Sequence, residues 1–81
     1  MRQLIQTPTQ VGEILRGRRK ARRISQQELA TKAGISQSRM SILEADPSTL
    51  PLERLLLLLK LLGLELVIQD RTEERGSKAQ W

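Results

Sequence analysis

The strongest constraint on this chain lies between Ser25 and Ala45, where two short helices are written back to back with a glycine between them. Ser25-Gln26-Gln27-Glu28 carries the S-x-x-E pattern of a capping box, in which the serine hydroxyl accepts from a free helical N–H. Leu29, Ala30 and Ala33 then form the apolar stripe of a helix ending at Ala33. Gly34 follows, where a left-handed cap is needed and a residue without Cβ takes it freely. After Ile35, Ser36 is a good cap for the next helix. There Met40 and Leu43 face inward, and Gln37, Ser38 and Ser41 fall on the opposite side. Asp46-Pro47-Ser48 stops that helix and turns the chain.

The flanks are built to support this unit. Thr7-Pro8-Thr9-Gln10 reads as a helix start with a threonine cap, proline at the first position and a glutamine that can reach back. Val11, Ile14 and Leu15 form one stripe, and the spacing predicts a helix from Pro8 to about Arg22. Pro51 can open a fourth helix, which Gly63 stops. Its leucines, Leu52, Leu55 to Leu59, Leu61 and Leu62, cover more than one face, and a helix apolar nearly all round is buried nearly all round. Leu64 to Gln69 alternates, with Leu64, Leu66 and Ile68 on one side and Glu65 and Gln69 on the other, which reads as a strand. A lone strand leaves backbone groups unpaired, and the economical partner is the same strand of a second copy. The expected dimer interface is therefore Leu64, Leu66, Val67 and Ile68. Residues 1–69 read as one domain and 70–81 as a disordered polar tail ending in Trp81, the only aromatic residue.

Composition narrows the function. With 81 residues the chain is short for burying an adequate core, which favours oligomerisation. Cysteine and histidine are both absent, removing thiolate metal sites and the commonest general base, so no cofactor is expected and an enzyme is the weakest candidate. No apolar run has the shape of a signal peptide or the length of a membrane span, and a cytoplasmic protein with no membrane partner is expected. The net charge of +5 is concentrated early, with Arg16, Arg18, Arg19, Lys20, Arg22 and Arg23 close together and Lys32 and Arg39 following. A one-sided basic half points to nucleic acid, and a solvated helix face is the alternative.

Together these features suggest a helix for the major groove, which is about 12 Å wide. Gln37, Ser38 and Ser41, with Gln27, are the candidate base readers, since an amide can pair with adenine at two points and a hydroxyl can donate or accept. Gln26, Ser25, Ser36, Arg39, Arg18, Arg19, Arg22 and Lys32 are the candidate phosphate contacts.

The pattern Val11-Gly12-x-x-Leu15-Arg16-x-x-Arg19, then Ser25-Gln26-x-x-Leu29-Ala30-x-x-Ala33-Gly34-Ile35-Ser36, then Ser41-x-x-Glu44, resembles the Cro/C1-type helix-turn-helix family. The resemblance implies an all-α domain of four to five helices, with a C-terminal strand pairing across a dimer. It also implies binding of palindromic operator DNA, bases being read from the helix at Ser36 to Ala45, and it makes Gln26 the family's helix-orienting, phosphate-contacting glutamine. One departure is Arg23, where the family commonly has glycine; arginine in a left-handed cap costs about 1 kcal/mol. The segment from Leu62 to Gln69, followed by a polar tail ending in tryptophan, resembles the antitoxins of HipA-type toxin–antitoxin pairs, the HipB-like proteins. That resemblance implies a kinase toxin as partner and Trp81 as its anchor, since a tail tryptophan can fill a partner's pocket. A free-standing repressor and a protein-interaction module on the same fold are the competing readings.

Overall fold

The computed structural model describes residues 1–71, and the order along the chain is α1 (Pro8–Ala21), α2 (Gln26–Ala33), α3 (Gln37–Ala45), a 3-10 turn (Pro47–Thr49) and α4 (Leu52–Leu61). Among the described residues the fold is all-α. Each start follows from its local chemistry. Thr7 and Gln10 form a full reciprocal capping box at α1, the Thr7 hydroxyl accepting from Gln10 N–H and Gln10 Oε1 accepting from Thr7 N–H. Ser25 and Ser36 accept from the N–H groups of Glu28 and Arg39, each at 3.0 Å. Asp46 Oδ1 accepts from Ser48 N–H and so shapes the 3-10 turn. Pro51 stands one residue outside the expected position: it is the extended residue before α4, whose helical geometry begins at Leu52 with no side-chain cap.

Side chains from all four helices meet in one core. Leu15, Leu29, Ala30, Ala33, Met40, Leu58 and Leu62 form it, with Leu43 buried nearby. α2 packs on α3 and α4, while α1 packs on α3 and the 3-10 turn. The crossing of α1 and α3 is close enough that a Cβ on Gly12 would stand 2.3 Å from the Glu44 carbonyl oxygen. Glycine is required there because backbone meets backbone and neither can give way.

Both expectations about the C-terminal third involve a second copy, and a single copy shows the surfaces it leaves over. α4 is not covered all round in a single copy. Leu58 and Leu62 are fully buried, but Leu52 and Leu56 are 62% and 46% exposed. Residues 64–70 form no strand, and no strand occurs among the described residues. The reason is that a strand is defined by its ladder of hydrogen bonds, which one copy of this segment has nothing to make with. Leu64 packs against the core, whereas Leu66, Val67 and Ile68 turn outward, Ile68 at 92% exposure. The Arg2 guanidinium donates to the Gln69 side chain, so the N-terminal segment lies beside this outward row. Of the expected tail, Asp70 and Arg71 are exposed; Trp81 lies outside the described residues. Among the described residues no helix is long and apolar enough to cross a membrane.

Candidate nucleic-acid interface

One charged cluster sets the geometry of the two central helices. Arg19 reaches from α1 to Glu44 on α3 with a two-pronged contact, Nε to Oε2 at 2.6 Å and Nη2 to Oε1 at 3.1 Å. Its third nitrogen, Nη1, donates to the Ile24 carbonyl at 2.9 Å, just ahead of α2. Gln26, the first residue of α2, donates its amide to Glu44 Oε1 at 3.0 Å. Arg19 and Glu44 are each only 7% exposed. A forked guanidinium matches a carboxylate in a plane, so the cluster fixes angles as well as distances. It joins the end of α1, the start of α2 and the last turn of α3. The carboxylate that holds α3 belongs to the residue whose carbonyl faces Gly12.

The α2–α3 turn is held from the other side. Gly34 takes φ 75°, as its left-handed position demands. Arg54, on α4, donates to the Ala33 carbonyl beside it. α3 is therefore tied down at its last turn through Glu44, and the turn leading into it is held through Ala33, while its outer face stays exposed. Gln37, Ser38 and Ser41 are exposed on that face, as their spacing predicts, and Arg39 is exposed at its flank. Gln27, exposed on α2, donates to Thr31 Oγ1 at 3.2 Å. Lys32, Ser25 and Ser36 are exposed as well, the two serines spending their hydroxyls on helix caps.

Three arginines of the basic run are engaged within the fold. Arg19 is not a surface cation: its charge is consumed inside the fold by Glu44, and only the sequence distance between them concealed this. Arg18 is half-buried and donates Nε to the Leu62 carbonyl at the end of α4, 3.0 Å away. Arg22 is exposed, but its guanidinium lies over Gly63, where a Cβ would stand 2.6 Å from Nη2. Both cations sit at the C-terminal end of α4, where the helix dipole favours positive charge. Arg16 and Lys20 are exposed on the other flank of α1. One outward residue escaped the sequence reading altogether. Ile42 is 57% exposed on α3. Its signal was present, because it falls four residues beyond Ser38 and so shares the polar face.

Two capped helices at a glycine turn, the second with a free face of small polar side chains, define a helix-turn-helix DNA-binding protein. The chain belongs to the helix-turn-helix family of Cro/C1 type, whose family model matches residues 15–69, a family of DNA-binding transcription regulators rather than of enzymes. It is similar to a chain in a solved structure of a HipA–HipB–O2–O3 complex, with 31% sequence identity and a TM-score of 0.79 over 88% of this chain and 100% of that one. A search of curated proteins finds no match.

Proposed function

We propose that this protein is a homodimeric repressor that binds palindromic operator DNA and serves as the antitoxin of a HipA-type kinase toxin, controlling its own operon from the cytoplasm. The observation that carries the reading is the outer face of α3, polar and exposed, on a helix tied at its last turn by Glu44, in a chain similar over 88% of its length to one in the HipA–HipB–O2–O3 complex. Gln37, Ser38, Ser41 and Gln27 read base edges, and Ile42 offers an apolar contact for a thymine methyl group. Gln26, Ser25, Ser36, Arg39, Lys32 and the spare nitrogens of Arg18 and Arg22 approach phosphates. Trp81 anchors the toxin.

Replacing Gln37 by alanine is expected to relax preference at one base pair and to remove about 1–3 kcal/mol of discrimination. Competition binding with duplexes substituted one position at a time measures it. Equal loss on every sequence would show that Gln37 does not read bases.

The dimer rests on two uncovered apolar rows, Leu52 and Leu56 on α4 and Leu66 to Ile68 beyond it. Exposed surface of this kind is rare on a monomer. Paired about a two-fold axis, the outward segments would supply each other's missing ladder. Sedimentation at micromolar concentration should give twice the 9.2 kDa chain mass, and Leu56→Glu should reduce it to one chain. A single-chain mass for the unaltered protein would end the dimer reading.

The toxin assignment is tested separately by titrating any purified HipA-type kinase found encoded beside this gene with the full chain and with a chain ending at Asp70. Binding that needs the last eleven residues supports an antitoxin. Operator binding with no such kinase to bind leaves a free-standing regulator of the same family.

A further inference from the structure

Three helices of this domain end in the same way. At α1, Ile24 N–H bonds the Arg19 carbonyl at 3.0 Å and Arg23 N–H bonds that of Lys20 at 2.9 Å. At α2, Ile35 N–H bonds Ala30 at 3.0 Å and Gly34 N–H bonds Thr31 at 3.2 Å. At α4, Leu64 N–H bonds Leu59 at 2.8 Å and Gly63 N–H bonds Lys60 at 3.1 Å. Each is a Schellman cap followed by a half-buried apolar residue, and each needs one residue in the left-handed region. That residue has φ 75° at Gly34, φ 73° at Gly63 and φ 59° at Arg23. The fold thus uses glycine for this corner twice and arginine once, and Arg23 is the sole non-glycine residue with positive φ among those described. A Cβ in that conformation is destabilising.

Nothing among the described residues compensates. The Arg23 side chain is exposed and makes no hydrogen bond or ion pair among the described residues, whereas the side chains of Arg2, Arg18, Arg19 and Arg54 each donate to a named acceptor. Yet the corner is held from both sides. The buried Arg19 side chain bonds the Ile24 carbonyl on one side, and Ser25 caps α2 on the other. Arg23 is therefore a strained, unpaired cation, presented from a rigid corner two residues ahead of the α2 cap. Strain kept in a place so fully determined by its surroundings is an indicator of function.

We infer that Arg23 is a phosphate-contacting residue of the DNA interface, and that the left-handed corner trades stability for a fixed positive charge at the edge of the helix-turn-helix. The inference rests on the DNA-binding reading and adds to it a residue that family likeness would set down as a glycine position.

The test compares the full chain with Arg23→Gly, Arg23→Gln and Arg23→Lys in melting temperature and in affinity for operator and unrelated duplexes over a salt series. Arg23→Gly should melt higher than the unaltered protein and bind both duplexes more weakly, by about tenfold near 0.1 M salt, with the slope of log affinity against log salt reduced by about one. Arg23→Gln should lose the same affinity without the gain in melting temperature, and Arg23→Lys should keep most of the binding. Arg23→Gly binding with unchanged affinity and slope would overturn the assignment while leaving DNA binding intact. Failure of the unaltered protein to bind either duplex would instead remove the DNA reading and this assignment with it.

Discussion

Glu44→Ala is expected to lower the unfolding free energy by about 3–5 kcal/mol, because it strands the buried Arg19 guanidinium without its counter-charge. The effect is large because Glu44 serves three partners at once. Two Arg19 nitrogens and the Gln26 amide all end on its carboxylate, in a site that is only 7% exposed. A chain of this size has only about 5–15 kcal/mol in total, so the variant should sit near its unfolding midpoint at physiological temperature. Urea titration followed by circular dichroism, at one fixed protein concentration, measures the loss. The double variant Arg19→Met with Glu44→Leu distinguishes a stranded charge from lost packing. Replacing both partners by apolar groups should cost much less than removing Glu44 alone. A single variant within about 1 kcal/mol of the unaltered protein would show that Arg19 finds another partner or water, contrary to its depth in the fold.

Leu58→Ala is expected to cost about 2–5 kcal/mol, the range for deleting a fully buried aliphatic side chain and leaving a cavity. Leu58 has no exposure at all and lies in the one core shared by the helices. The loss should appear on operator binding as well, through the fraction of chains folded and not through contacts with DNA. Binding measured per folded molecule should therefore stay unchanged, whereas Gln37→Ala shifts base preference at full folding. If Leu58→Ala proved nearly neutral, α4 would not be packed on α2 as the structure has it.

Much of the fold was legible along the chain. Thr7 with Gln10, Ser25, Ser36 and Asp46-Pro47 mark the helix boundaries, Gly34 occupies the left-handed corner expected of it, and Gly63 stops α4 as expected. These features are readable because their bonds span three to five residues. The free face of α3 was legible for the same reason, since helical spacing alone sets Gln37, Ser38 and Ser41 opposite Met40 and Leu43. The arginines were harder. Arg18, Arg19 and Arg22 look alike in a basic run, yet one is buried in a charge pair, one caps a distant helix end and one lies on a glycine. Arg54 gave no sign that it closes the α2–α3 turn.

By itself the sequence determined where the first three helices start, the turns that stop them, and that two short helices meet at a glycine turn. Its leucine excess and its one alternating segment also showed that a single copy leaves apolar surface over. Tertiary structure alone decided which cations serve the fold and which remain for a ligand. Arg19 and Glu44 are 25 residues apart, and no local rule pairs them. The carbonyls that hold Arg18 and Arg54 likewise come from other helices, so their roles appear only once those helices are packed. The difference is physical. Caps and stripes are enforced by bonds within one turn of the chain, whereas the fate of a long charged side chain depends on which distant acceptor the core brings within its reach.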